Sequence, residues 1–192
     1  MHLVQRFYRD VLLPEEINRR VVTAAVPAMR TLPGFLAYTL VDFRGGVLGS
    51  FTLFADRTGA DRMAAAVPAL VRGTLADLIP LPPEVRAGEV PLHRRVAGRA
   101  DAMAVRRHAG CTDVPELARR IDTLILPHLA ALPGFHGYTL VDEGQGRVSS
   151  LTLFGTRAEL EAAHAQVGPD LAALLPGAPE TMVGRVLSDN HA

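Results

Sequence analysis

Apolar residues along this chain fall into an alternating stretch that occurs twice. Leu32-Pro33-Gly34-Phe35-Leu36-Ala37-Tyr38-Thr39-Leu40-Val41-Asp42 returns one hundred residues later as Leu132-Pro133-Gly134-Phe135-His136-Gly137-Tyr138-Thr139-Leu140-Val141-Asp142. The alternation of a strand places Phe35, Ala37, Thr39 and Val41 on one face and Leu36, Tyr38, Leu40 and Asp42 on the other. Both faces are largely apolar, as in a sheet covered on both sides. Arg44-Gly45-Gly46 and Gly144-Gln145-Gly146 then supply hairpin turns into a second β-rich run, residues 50–54 and 150–154.

Helical spacing precedes each of these hairpins. Ile17, Val21, Ala24 and Ala28 recur at the period of a helix over 14–31, and Leu117, Ile121, Leu124 and His128 do so over 114–131. Leu-Pro-Gly stops both, because proline disfavours helix at the residue before it and glycine takes the turn. Second helices are predicted over 60–79 and 158–175, with short strands at 3–9 and 102–109 and closing strands at about 85–93 and 181–188.

The self-match runs past the hairpins. Arg6-Phe7-Tyr8 stands one hundred residues before Arg106-Arg107-His108, Arg19-Arg20 before Arg119-Arg120, and Pro27 before Pro127. Further on, Leu75-Ala76-Asp77-Leu78-Ile79-Pro80 aligns with Leu171-Ala172-Ala173-Leu174-Leu175-Pro176, which puts a four-residue shortening in or just before the second helix. Each half therefore reads as strand, helix, strand, strand, helix, strand. A βαββαβ unit forms an antiparallel sheet with both helices on one face, leaving the other face apolar and uncovered. The predicted class is α+β: two ferredoxin-like units, 1–95 and 101–192 with a linker at 96–100, packed sheet to sheet as an intramolecular pseudo-dimeric α+β barrel. One chain then suffices as a monomer, with a weak homodimer as the alternative.

Composition narrows the partners. Twenty Lys and Arg balance twenty Asp and Glu over 192 residues, so no basic footprint for nucleic acid or an anionic membrane is expected. One cysteine, Cys111, leaves no internal disulfide and no cysteine-built zinc site. No apolar run approaches the ~18 residues of a membrane span, and no secretory leader is read at the start, so a cytoplasmic location is expected.

Leu-Pro-Gly-Phe opening the second strand, Tyr38 and Tyr138 within it, Phe54 and Phe154 ending the third, and Arg157-Ala158-Glu159-Leu160 opening a helix resemble antibiotic-biosynthesis-monooxygenase-like domains of the dimeric α+β barrel superfamily. The first strand Arg6-Phe7-Tyr8 and the ending Pro82-Pro83-Glu84 through Ala87-Gly88-Glu89-Val90 resemble small bacterial members of that group. The resemblance covers nearly the whole chain and rests on signatures of fold. It implies a cavity between sheet and helices in each unit, and an activity such as cofactor-free quinone-forming oxygenation. The absence of tryptophan and the positions of the only asparagines, Asn18 and Asn190, depart from the quinone-forming and haem-degrading members.

Residues able to carry chemistry gather in the second half. His108 replaces Tyr8 beside Arg106 and is suited to general acid–base work near neutral pH. His136 replaces Leu36, and strand alternation puts it on the face of Tyr138, whose phenol is suited to orienting a substrate oxygen. Arg106 is the candidate anion stabiliser. Arg6, Tyr8 and Tyr38 are the corresponding ligand-binding candidates in the first half. For each, the bland alternative is a solvated strand end or a core side chain with one hydrogen-bond partner. His128 is expected on the apolar face of its helix, and His164 on the second helix. No spacing suits a metal, and no phosphate loop, nucleophile elbow or dinucleotide fingerprint occurs.

Three readings of function remain open. One is a cofactor-independent monooxygenase or related enzyme acting on an apolar, aromatic or polyketide-like small molecule. Another is a ligand-binding or stress-response module without turnover, and the third a duplicated structural domain with a filled interior. Convergence of Arg106, His136 and Tyr138 on a cavity of about 300 Å³ or more distinguishes the first from the last. Any activity is expected in the second half, with the first as its pseudo-dimer partner.

Overall fold

Strand, helix, strand, strand, helix, strand is the order found in each half of the computed structural model. It describes residues 1–191, with all their side chains except those of Val67, Pro68, Leu70 and Arg72. The strands are β1 (His2–Tyr8), β2 (Phe35–Asp42), β3 (Leu48–Phe54), β4 (Glu84–Arg95), β5 (Ala102–His108), β6 (Phe135–Gly144), β7 (Arg147–Phe154) and β8 (Glu180–His191). The helices are α1 (Pro14–Arg20), α2 (Val26–Arg30), α3 (Arg57–Thr74), α4 (Val114–Arg120), α5 (Leu126–Ala131) and α6 (Arg157–Leu174). The chain is α+β with antiparallel strands in ferredoxin-like units, the class that the repeated pattern predicts.

Two compact units emerge, Met1–Ala87 with Val186–Ala192, and Gly88–Arg185. In the first, β3 lies between β1 and β2 and β8 follows β2. Thr39 Oγ1 donates to Asp189 Oδ1 at 3.0 Å, and Asn18 Nδ2 donates to the Leu187 carbonyl at 3.4 Å. In the second, the order is β8-β5-β7-β6-β4. Each unit has its own core, centred on Phe35, Tyr38 and Phe54 in one and on Phe135, Tyr138 and Phe154 in the other. Phe35 meets Phe54 edge-on at 6.1 Å between ring centroids, and Phe135 meets Phe154 at 5.7 Å, a favourable quadrupole geometry. Gly34 and Gly134 adopt φ of +80° and +75° after the proline, which explains glycine in both copies of the Leu-Pro-Gly turn.

Three details differ from the pattern, each for a physical reason. First, α1 and α2 are joined by one π-helical turn, Val21–Ala25, and α4 and α5 by another, Ile121–Ile125. The Val26 N–H bonds to the Val21 carbonyl, and the Leu126 N–H to the Ile121 carbonyl. Pro27 and Pro127 follow directly; each lacks an N–H, and in α-winding its ring would meet the carbonyl four residues back. The wide turn adds a residue, so the buried stripe continues through Ala25 and Met29, or Ile125 and Leu129, while Ala24, Ala28, Leu124 and His128 face outward.

Second, β2 and β6 each carry a bulge. Phe35 pairs with Phe54 but Ala37 with Leu53, and Phe135 pairs with Phe154 but Gly137 with Leu153. The extra residue reverses the alternation, so Phe35 shares its core with Tyr38 and Leu40, and Phe135 with Tyr138 and Leu140. Third, α3 and α6 are both 18 residues long and stand one hundred apart. Their exits also match: the Leu75 N–H bonds to the Val71 carbonyl and the Leu175 N–H to the Leu171 carbonyl. The shortening therefore lies in the loop after the helix, residues 175–179 against 75–83, and leaves the helix whole.

Candidate functional site

A cavity of about 230 Å³ lies in the second unit between the sheet and α6. Arg106 and His108 reach it as alternate residues of β5, which share a face. Ser150 of β7 stands opposite Arg106 in the ladder and lines the same space. His164, Leu171 and Leu175 close it, His164 and Leu171 from α6 and Leu175 from just beyond it. Thr156 starts that helix by accepting from the Glu159 N–H at 3.2 Å, and Leu160, Ala163 and Val167 bury its inner face. His164, four residues after Leu160, falls beside that face.

The cavity is unusual in its charges. Among the described residues no carboxylate pairs with Arg106. Burial lowers the affinity of its guanidinium for the proton, and the Tyr138 phenol works the other way. His108 Nδ1 lies 3.4 Å from the Pro176 carbonyl. Donation to that carbonyl requires the tautomer in which Nε2 keeps its lone pair, and Nε2 is buried with no hydrogen-bond partner among the described residues. Burial holds His108 below the usual histidine range, with Arg106 adding to the effect and the Pro176 contact opposing it. His164 Nε2 is likewise buried and unpartnered; burial first and Arg106 second push its pKa down to about 4. At neutral pH the cavity thus holds one cation and two neutral imidazoles, a set suited to removing a proton and stabilising the anion left behind.

The sequence-predicted residues separate into groups. Arg106 and His108 meet on the cavity. Tyr138 lies behind it, fully buried, its phenol pushed up to about 12 by burial while Ser150 and Arg106 oppose the shift. Its hydroxyl completes no well-formed hydrogen bond among the described residues; Ser150 is only a weak contact. His136 does not join them. As the bulge residue of β6 it leaves the face of Tyr138, and its ring packs over Gly98 and beside Gly155.

Arg6, Tyr8 and Tyr38 do come together in the first unit. Arg6 is only 4% exposed, and among the described residues no carboxylate pairs with it. Burial lowers its pKa while Tyr8 and Tyr38 raise it. Burial raises both phenols, Tyr8 against the opposing effects of Arg6 and a hydrogen bond with Ser50. His164 is the site residue that sequence reasoning passed over. Its signal is the inward period of Leu160, Ala163 and Val167, which the amino-acid pattern of the helix carries by itself. Among the described residues no helix is long and apolar enough to cross a membrane.

No protein-family model and no curated protein sequence matches the chain. Solved structures do. An anthrone oxidase-like protein is 12% identical, with a TM-score of 0.64 over 100% of this chain and 93% of that one. A proposed monooxygenase from Lactobacillus acidophilus is 9% identical, with a TM-score of 0.74 over 99% and 96% of the two chains. A haem-degrading enzyme from Listeria monocytogenes is 7% identical, with a TM-score of 0.58 over 96% and 99%. At such identities the likeness defines the fold alone. The chain has the ferredoxin-like α+β fold found in monooxygenase-like proteins of nearly its own length.

Proposed function

We propose that the chain is a tandem of two antibiotic-biosynthesis-monooxygenase-like units, the second of which holds a small-molecule enzyme site centred on Arg106. The reaction is cofactor-independent oxygenation of a small aromatic or polyketide-like substrate bearing an acidic C–H. The observation that carries this reading is the cavity that exposes an unpaired guanidinium beside two neutral imidazoles. His108 removes the proton through Nε2 and Arg106 holds the resulting phenolate or enolate oxygen. The carbanion is the electron donor and dioxygen the oxidant. One oxygen atom forms the new carbonyl and the other leaves as water, so a CH2 group becomes C=O with no further reductant. Tyr138 supports Arg106 from behind, and Ser150 stands beside it on the cavity wall. In the first unit Arg6, Tyr8 and Tyr38 form the equivalent, more closed cluster.

The cavity's volume, about 230 Å³, falls below the ~300 Å³ at which ordinary small-molecule pockets begin. This restricts the substrate to one or two rings, and with His136 and Tyr138 outside the lining it favours the duplicated structural domain over the enzyme.

Oxygen uptake with a panel of one- and two-ring hydroxyaromatic ketones tests both. Turnover should produce the quinone, and Arg106→Gln should reduce it by roughly a hundredfold or more. Tyr138→Phe should cost more than Tyr38→Phe. Tight binding without uptake selects the ligand-binding module. Neither binding nor uptake across the panel selects the duplicated structural domain.

A further inference from the structure

The exit of the second helix is where the two units differ most. In the first, the loop 75–83 carries Asp77, which grips Arg20 with two bonds, Nη1 to Oδ1 at 2.8 Å and Nη2 to Oδ2 at 3.1 Å. Arg20 is held further by Glu16, Nε to Oε1 at 2.7 Å, and by the Thr74 carbonyl at 3.1 Å. Leu78 packs against the core and Ile79 is buried within it.

In the second unit the loop is four residues shorter and has no counterpart of Asp77. Arg120 stands where Arg20 does, but whereas Glu16 bonds both Arg19 and Arg20, Glu116 bonds Arg119 alone among the described residues, at 2.7 Å through Nε and Nη2. Among the described residues the Arg120 side chain has no hydrogen bond or ion pair. Where the first unit has its longer loop, the second has a cleft of about 400 Å³. Arg120 lines it together with an apolar wall of Cys111, Leu117, Leu174 and Leu175.

We propose that this cleft is a binding site for a small monocarboxylate, distinct from the Arg106 cavity and independent of the function proposed there. The ligand's carboxylate takes the fork of Arg120 as Asp77 takes that of Arg20, and its apolar body covers the leucine wall. A guanidinium matches a carboxylate through two parallel bonds, and the chain itself shows that this arginine position accepts one. Asp113 and Glu116 line the same cleft. Their charges disfavour a polyanion, which selects a single carboxylate over a phosphate ester. Asp113 is occupied as the cap of α4, accepting from the Glu116 N–H at 3.0 Å.

The probe is benzoate, titrated into the full-length 15N-labelled chain, with benzamide and inorganic phosphate as controls. Saturable shifts are expected at residues 110–113, at Arg120 and at 173–174, which line this cleft and not the Arg106 cavity, with a roughly millimolar dissociation constant. Benzamide and phosphate should leave these signals in place. Arg120→Gln, at an exposed and unpaired residue, should keep the fold and weaken benzoate by about tenfold or more. Replacing 175–179 with the longer loop 75–83, which restores Asp77, should abolish the shifts. Shifts that fail to saturate, that persist in Arg120→Gln, that map to the Arg106 cavity, or that benzamide or phosphate reproduces would overturn the proposal.

Discussion

His164 lies beside one half-buried cation, a neutral imidazole on β5 and a carboxylate on its own helix. Burial disfavours its protonation most, Arg106 adds to that and Glu161 opposes it, giving a pKa of about 4. The unfolded chain binds this proton near pH 6.5. Above that value both states are neutral and the group has no effect on stability. As pH falls from about 6.5 to about 4, the unfolded state gains a proton that the folded state refuses, so stability falls. The partial exposure of the ring limits the effect to about 2 kcal/mol. His164→Gln should flatten that part of the acid limb of a urea-denaturation series, and an NMR titration of wild type should show the imidazole still neutral at pH 5. A midpoint near 6.5 would remove the cavity's electrostatic basis. Arg106 and His108 were legible because strand alternation pairs residues i and i+2. His136 was misplaced because a bulge reverses that alternation, and a bulge leaves little trace in one sequence beyond an irregular face. His164 was legible only by extending the helical period of α6 and asking what stands beside Leu160.

The joined rods of the first helices show why spacing alone mis-set an apolar stripe. Ile121, Ile125 and Leu129 all point inward only because the turn between them is one residue wide of α-helical. Pro127 enforces that width by denying the Thr123 carbonyl a donor, and Thr123 Oγ1 bonds back to the Arg119 carbonyl at 2.9 Å. Proline read from sequence signals a break or kink, not the residue that a π-turn adds. The element was therefore predictable and its inward face was not. The same reasoning gives a test. Deleting the exposed Leu124 alone should force α-winding against the proline ring and destabilise the chain by about 3 kcal/mol. The same deletion with Pro127→Ala should recover most of that loss, because Ile125 and Leu129 then fall at ordinary helical spacing. Equal losses in the two variants, measured by urea denaturation, would show that the proline does not set the turn.

Over the whole molecule, the repeated pattern made the order of elements legible because hairpin glycines, Leu-Pro-Gly stops and two periodicities all agree. What no local pattern carries is where a twelve-residue strand such as β8 spends its two ends. Residues 180–185 of β8 pair with β5, whereas residues from 186 onward belong to the first unit. There Asp189 accepts from Thr39, the Leu187 carbonyl from Asn18, and the His191 carbonyl from Arg30 at 3.0 Å. Removing everything after residue 185 should therefore act on β2, some 150 positions earlier in the chain. Of these donors only Thr39 lies in β2; at about 1 kcal/mol for its lost bond, together with loss of the β8 strand beside β2, amide protection along Phe35–Asp42 should fall by roughly fivefold or more. Amides of β5 and β7, whose ladder lies within the second unit, should keep most of theirs. Hydrogen exchange on the truncated chain measures both at once. Protection lost first from β5 and β7 would mean that the chain's end stabilises the unit from which β8 emerges and not the one to which it returns.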